Sequence, residues 1–352
     1  MSIKQREVKF ELLRILAMGM IITLHYLSKG GFLKPLTDRV TLTDGFAWFI
    51  EAFCLVAVNV YVLISGYFGC TSKWNIRKLF TLWLQVVSYA LVVGVFVLFS
   101  GLIDRSVFNI YEGVKLICPV ITEHYWFATS YFLLFVMMPF LKAGIEKLSQ
   151  KEFGIIIVVL ILLQSVMKSI LPMHLPWDKL GYDAWWFVTL FLTGAYIRKY
   201  EIVFLKNKVN CVAMYVVFSL MTFSVTMGLH YVYQATGSLS EFITYAYAYN
   251  HIFCLLASVG FFGIFMNVKE KEWKQEMAQK ITLLSGATFG VYLLHEHIWV
   301  RYQWPLWLGA EHFQESPFFV LHLVVSVLAV YTVGTVVELL RQQLFRLITG
   351  RR

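Results

Sequence analysis

The sequence is poor in charged residues, which account for only 14% of its 352 positions. A soluble globular domain carries roughly a quarter of charged residues. Hydrophobic residues make up 59% of the chain, and the mean hydropathy is +0.68. Such a chain has too few polar side chains to cover a water-soluble domain of this size. Much of its surface must therefore face lipid, and the 17% of aromatic residues fit a membrane protein with interfacial belts.

Cysteine is also scarce, and the five cysteines are scattered without a CxxC pair or a Cys/His metal spacing. The pattern predicts small apolar residues in helices, and no metal site. A cleavable signal peptide is missing as well. The first apolar run begins after Lys9, contains Arg14 and His25, and is followed by no small-residue cleavage site. We expect that run to be retained as a helix.

Long apolar runs are abundant, and a membrane-spanning helix needs about 20 mostly apolar residues. We predict ten spanning segments, at 8–28, 46–69, 77–99, 124–141, 153–171, 182–199, 209–230, 242–267, 281–301 and 317–340. Residues 101–123 are more polar and predict an outer loop. No repeat or soluble appendage is visible. The expected fold is an all-α polytopic membrane bundle, a single domain over 1–352 with no fused extracytoplasmic domain.

The basic residues predict the orientation of this bundle. Most of the 30 Lys and Arg residues fall into segments that ten helices would place on the side of the N-terminus. Cytoplasmic loops hold an excess of Lys and Arg, so both termini are predicted to be cytoplasmic. The net charge of +9 then reflects topology, and no nucleic-acid partner is expected. The predicted location is the inner (plasma) membrane, with membrane lipid as a partner.

Tryptophan and histidine are biased towards the predicted outer side. All nine histidines and most of the eleven tryptophans fall there, including Trp185 and Trp186. A plain aromatic belt would be balanced between the two interfaces. The bias predicts an outward-facing polar cavity, in which Trp185 and Trp186 would bind an acceptor sugar, with Glu51 near the outer end of the second segment. The alternative is that each Trp anchors a helix end.

The first predicted helix contains two ionisable residues, Arg14 and His25. Such residues inside a spanning helix are costly and indicate function. They are eleven residues apart, which at 100° per residue returns to nearly the same face, with an axial separation of about 16 Å. An extended pantetheine arm has a comparable length, so Arg14 could hold coenzyme A phosphates while the thioester reaches His25. The alternatives are that Arg14 snorkels to the interface and that His25 is a satisfied buried histidine.

The second predicted helix ends in Ser65-Gly66 and is followed by the basic pair Arg77-Lys78. A Ser-Gly pair permits close backbone approach and a kink, and it is also common in helix packing within membranes. The basic pair is explained by topology, and it also lies where a nucleotide 3′-phosphate would bind.

Several motifs occur in a characteristic order: Arg14-x10-His25, Ser65-Gly66 after an apolar-aromatic run, Arg77-Lys78, His124-Tyr125-Trp126-Phe127 with Tyr131 and Pro139, and Tyr292-Leu293-Leu294-His295. Together they resemble the acyltransferase 3 family of membrane acyltransferases, over essentially the whole chain. That family moves acyl groups, usually acetyl, from cytoplasmic acyl-CoA onto sugars of capsules, O-antigens, exopolysaccharides or peptidoglycan.

The resemblance implies roles for particular residues. His25 would be the catalytic base, with His295, Glu296 and Tyr131 also assigned to catalysis. Donor binding would involve Arg14, Ser65, Gly66, Arg77, Lys78 and Trp126. The chain departs from the family's Phe-Phe-x-x-Ser-Gly motif, because Tyr61-Val62 replaces the two phenylalanines.

The resemblance predicts an acyl-CoA-dependent O-acetyltransferase, with acetyl-CoA as donor substrate and a surface glycan or lipid-linked sugar as acceptor. His25 would take the proton of the attacking hydroxyl. An acyl-His25 or acyl-Tyr131 relay is the alternative. His295, Glu296 or Glu51 would orient the imidazole. The oligomeric state is left open.

A transporter or flippase of a glycan precursor is the main competing interpretation, since ionisable residues would then line a path. Transporters often carry internal repeats, and the second half has no counterpart of Arg14-x10-His25. A catalytically silent sensor would tolerate loss of His25, which this chain keeps. A glycan polymerase or ligase usually has larger outer loops than 101–123.

Overall fold

The computed structural model describes residues 7–171, 178–269 and 273–349, and no β-strand occurs within these ranges. Fifteen α-helices are numbered here in chain order: α1 Val8–Lys29, α2 Leu42–Cys54, α3 Val56–Gly69, α4 Ile76–Ser100, α5 Ile110–Ile117, α6 Trp126–Lys147, α7 Gln150–Ile161, α8 Met167–Ile170, α9 Ala184–Lys199, α10 Lys208–Thr236, α11 Ile252–Met266, α12 Gln275–Ser285, α13 Thr288–His295, α14 Trp304–Trp307 and α15 Phe319–Thr349. A π-helical turn, Leu162–Val166, joins α7 to α8.

Eight helical segments of the described chain are long and apolar enough to cross a membrane: Val8–Lys29, Leu42–Gly69, Ile76–Ser100, Trp126–Lys147, Gln150–Ile170, Lys208–Thr236, Ser240–Met266 and Phe319–Ile348. Each matches one of the ten predicted segments within a few residues at most ends. The all-α, multi-pass character of the chain is thereby confirmed. The count of ten crossings and the cytoplasmic placement of the termini stay predictions.

Two predicted segments do not form long helices. The segment 182–199 contains α9, which has only 16 residues. The prediction of one helix over 281–301 is wrong, because α12 ends at Ser285 and α13 ends at His295. The Ser285 hydroxyl donates to Glu11 on α1, and the Ala287 N–H donates to the Leu284 carbonyl, three residues back, at 3.0 Å. The α-helical bonding pattern therefore ends at Gly286, where the last turn tightens before α13 begins.

The chain divides into two compact units, and the first comprises Met1–Phe32, Phe80–Tyr125 and Lys269–Arg352. Within it α1 packs against α12, α13 and α15, and α13 packs against α15. Gly290 lies on α13, where this helix packs against α15. A Cβ atom there would meet the Glu338 carboxylate at 2.5 Å and the Tyr89 hydroxyl at 2.6 Å. Glycine leaves room for a buried carboxylate that also accepts hydrogen bonds from Arg341.

The second unit comprises Leu33–Leu79 and Trp126–Val268. Its helices α3 and α9 cross closely, because each contributes a glycine. A Cβ atom on Gly66 would lie 2.1 Å from the Phe191 carbonyl oxygen, and one on Gly194 would lie 2.3 Å from that of Leu63. Two backbones can approach this far only where no side chain intervenes. The prediction that residues 1–352 form one domain stays a prediction.

The glycine crossing yields a stability prediction. We expect Gly66→Ala to destabilise the protein by about 1–3 kcal/mol, because the added methyl group overpacks a backbone contact. Thermal unfolding of the detergent-solubilised protein measures the effect as a lowered Tm. The matched control is Gly144→Ala on α6 in the same unit, where a Cβ atom meets nothing within 4 Å. An equal Tm for the two variants would contradict the crossing.

Candidate active site

Two histidines from distant parts of the first unit form a direct contact. His25 lies near the end of α1, and His295 is the last residue of α13. Their Nδ1 and Nε2 atoms, respectively, are 2.9 Å apart. His295 is buried, whereas the His25 side chain keeps 14% of its surface exposed. The pair therefore has one fully buried member and one partly exposed member.

The hydrogen bonds determine which nitrogens carry protons. His295 Nδ1 lies 2.6 Å from the Val291 carbonyl oxygen, which can only accept, so this nitrogen is the donor. In a neutral His295 the Nε2 atom is then an acceptor, and His25 Nδ1 must donate to it. The remaining His25 nitrogen, Nε2, keeps its lone pair. This arrangement leaves His25 poised as a base.

An ion pair flanks the two histidines. Glu296 directly follows α13, and its Oε1 atom lies 3.6 Å from His25 Nδ1. The same oxygen pairs with Lys29 Nζ, one turn beyond His25 on α1. The side chains of Lys29 and Glu296 are only 12% and 4% exposed. The carboxylate is thus neutralised by Lys29 and lies close enough to His25 to stabilise an imidazolium.

Arg14 lies on the same uninterrupted helix as His25, which gives the axial separation of about 16 Å. Its Nη1 atom donates to Glu11 Oε1 at 2.5 Å, and the other oxygen of Glu11 accepts from Ser285. The Arg14 side chain is 27% exposed. Glu11 and Ser285 therefore hold the guanidinium in place, which a residue that merely snorkels does not require.

The second unit brings together another subset of the predicted residues. Ser65 Oγ donates to the Tyr61 carbonyl at 2.9 Å and lies 3.3 Å from the Tyr131 hydroxyl. Trp126, at the start of α6, packs on Tyr182 with ring centroids 4.5 Å apart. Ser65, Tyr131 and Trp126 are all half-buried. Their roles in donor binding and catalysis stay predictions.

Two further candidates of the second unit lie in helix packing. Gly66 touches the Phe191 backbone, and Trp186 is 1% exposed with its indole N–H 3.0 Å from Asn59 Oδ1. Trp185, the neighbour of Trp186, is 54% exposed. Of the two tryptophans assigned to the acceptor, only Trp185 therefore presents a free face. Both assignments stay predictions.

The last three candidates differ in their surroundings. Arg77 and Lys78 are exposed at the start of α4. The Glu51 Oε2 atom is buried, and none of the described residues hydrogen-bonds to it. Glu51 belongs to the second unit, and so its predicted role in orienting His25 also stays a prediction.

Sequence reasoning missed three elements of the histidine site. Lys29 was not singled out, although its spacing of four from His25 places both on one helix face. The Val291 carbonyl lies four residues before His295. That spacing indicates the contact only once the bounds of α13 are known. The third element is Arg301, whose guanidinium carbon lies 5.5 Å from the centroid of the Tyr302 ring that Lys29 also approaches. No pattern in the sequence distinguishes Arg301 from the other arginines.

The helices and their apolar lengths define an integral membrane protein. The sequence model of the acyltransferase domain family matches residues 7–336, nearly the whole chain. The protein therefore belongs to this family and is a multi-pass membrane acyltransferase. No curated protein and no solved structure matches the chain significantly.

The buried ion pair yields a second stability prediction. We expect Lys29→Met to destabilise the protein by about 3–5 kcal/mol, because it leaves the Glu296 carboxylate buried without its partner. The double variant Lys29→Met with Glu296→Gln should recover much of this loss, because no buried charge remains. Chemical unfolding in detergent measures both. If the double variant were as unstable as the single one, the ion pair would not be the cause.

Proposed function

We propose that the enzyme transfers an acetyl group from cytoplasmic acetyl-CoA to a hydroxyl of a cell-surface glycan or its lipid-linked precursor, in the inner (plasma) membrane. The observation that carries this proposal is the hydrogen-bonded series from the Val291 carbonyl through His295 to His25. It supplies what a sugar hydroxyl needs near neutral pH, which is a positioned base with a free lone pair.

The position of Arg14 supports a coenzyme A donor. A guanidinium is suited to phosphate because it offers several N–H donors in a fixed plane. Arg14 lies on nearly the same helix face as His25, about 16 Å away along the axis. Phosphates bound near Arg14 would therefore allow an extended pantetheine arm to present its thioester to His25. For Ser65, Gly66, Arg77, Lys78 and Trp126 the proposed role in donor binding rests on their match to the family motifs.

In the proposed reaction His25 takes up one proton and later releases it. The acceptor hydroxyl gives its proton to His25 Nε2 as its oxygen attacks the thioester carbonyl carbon. A carbon–oxygen bond forms, and the tetrahedral intermediate collapses with cleavage of the carbon–sulfur bond. The proton then passes from His25 to the coenzyme A sulfur, which regenerates the neutral imidazole. The products are the acetyl ester and free coenzyme A.

The surroundings of His25 favour this cycle. His295 Nε2 accepts a hydrogen bond from His25 Nδ1–H throughout the cycle. This bond keeps the His25 ring from turning. Glu296, 3.6 Å from Nδ1, offsets the positive charge of the transient imidazolium. His295 and Glu296 thus act through His25 and are positioning residues. A direct transfer needs no acyl-Tyr131 intermediate, and Trp185 and Glu51 remain the proposed acceptor contacts.

The test is transfer of labelled acetyl from acetyl-CoA in inside-out membrane vesicles supplied with cell-envelope glycans. We expect His25→Ala to lower the rate by about 10²–10⁴-fold, the usual contribution of general-base catalysis. Arg14→Ala should raise the KM for acetyl-CoA with a smaller effect on kcat. His295→Gln, which keeps an acceptor for Nδ1, should retain more activity than His295→Leu.

His312→Ala is the matched control, because His312 lies in the same unit with its side chain 75% exposed. It should retain the wild-type rate. Absence of both acetyl-CoA binding and transfer in the wild-type protein would refute the donor assignment. Full activity of His25→Ala would refute the assignment of the base.

A further inference from the structure

Two cations converge on one exposed ring at the end of α1 opposite to Arg14. Lys29 Nζ lies 5.8 Å from the centroid of the Tyr302 ring, and the Arg301 guanidinium carbon lies 5.5 Å from it. Tyr302 is 57% exposed. Arg301 and Tyr302 belong to the turns that follow α13. The three side chains therefore form a basic patch with an accessible aromatic face, next to His25.

One donor atom of the half-buried Arg301 side chain lacks a hydrogen-bond partner. Its Nε atom is buried, and none of the described residues accepts a hydrogen bond from it. An unsatisfied buried donor costs about 1–3 kcal/mol, and more when it is charged. A cost of this size is expected where a ligand supplies the missing acceptor.

The local charge balance indicates the sign of that ligand. Lys29 is paired with Glu296, which leaves the charge of Arg301 uncompensated by any contact among the described residues. A guanidinium remains protonated at all relevant pH values. The patch of Arg301, Lys29 and Glu296 therefore carries an excess of one positive charge.

We infer that Arg301, with Lys29 and Tyr302, forms an anion subsite for the acceptor. The acceptor would carry a compact oxyanion, a carboxylate or a phosphate, close to the hydroxyl that is acetylated. A guanidinium recognises either group by paired N–H···O hydrogen bonds. The assignment to the acceptor rests on the proposed function, in which the donor phosphates bind at Arg14, on the other side of His25.

A binding test uses the wild-type protein and needs no turnover. Phenylglyoxal modifies arginines, and peptide mass spectrometry measures the reaction at Arg301 separately from the other sites. We expect methyl glucuronide or glucose 1-phosphate to slow modification of Arg301, whereas methyl glucoside, which lacks an anionic group, should not. The compound that protects Arg301 more strongly shows whether the subsite prefers a carboxylate or a phosphate. Equal rates with all three compounds would overturn the inference.

A kinetic test compares anionic with neutral acceptors. Arg301→Gln should lower the ratio of their kcat/KM values by about 10- to 100-fold, the effect of losing a charge-assisted hydrogen bond. Arg301→Lys keeps the positive charge but loses the planar pair of N–H donors. Its ratio of kcat/KM values should lie between those of the wild type and Arg301→Gln. Arg105→Gln, at an exposed arginine of the same unit, should leave the ratio unchanged.

The outcomes separate this inference from the proposed function. If Arg301→Gln lowered kcat/KM equally for anionic and neutral acceptors, the subsite would be overturned. Arg301 would then stabilise the oxyanion of the tetrahedral intermediate or the folded protein. Absence of transfer by the wild-type enzyme to any acceptor would refute the proposed function. Protection of Arg301 from phenylglyoxal would still decide whether an anion binds.

Discussion

The arrangement of the histidine pair in the first unit depends on the hydrogen bond between His295 Nδ1 and the Val291 carbonyl. A carbonyl oxygen has two lone pairs, so Val291 can serve both the helix and the imidazole. Because this acceptor cannot donate, the proton positions on His295 and His25 follow from it without any charged residue. A carboxylate in the place of His295 would have the same orienting effect but would add a charge that must be desolvated.

Charges in the apolar interior come with partners, and this requirement organises the helices around α1. Glu11 joins Arg14 to α12 through Ser285, and Glu296 joins Lys29 to the end of α13. Removing any one member leaves a buried charge or hydrogen-bonding group unsatisfied. Arg301 departs from this rule among the described residues, since its Nε atom is buried without an acceptor. Glu51 Oε2 in the second unit is another exception. The Arg301 exception lies at the end of α1 near Lys29, where the proposed anion would satisfy it.

Much of the fold could be predicted, because the length and apolarity of a spanning helix are local properties. The error at 281–301 shows where this reasoning fails. Hydropathy counts Ser285 and Gly286 as tolerable in a helix, but it does not register that Ser285 is hydrogen-bonded to a carboxylate on another helix. Of the candidate site, Arg14 and His25 could be placed relative to each other, because eleven residues in one helix fix both angle and distance.

The amino-acid sequence by itself determined the apolar lengths, the common face of Arg14 and His25, and the ordered motifs of the acyltransferase family. The tertiary structure decided what His25 touches. Its partner is 270 residues away in the chain, and the acceptor that orients that partner is a backbone atom. The ion pair of Lys29 with Glu296 and the unsatisfied Arg301 were decided in the same way. Contacts between distant helices depend on packing and on buried hydrogen bonds, which local periodicity does not encode.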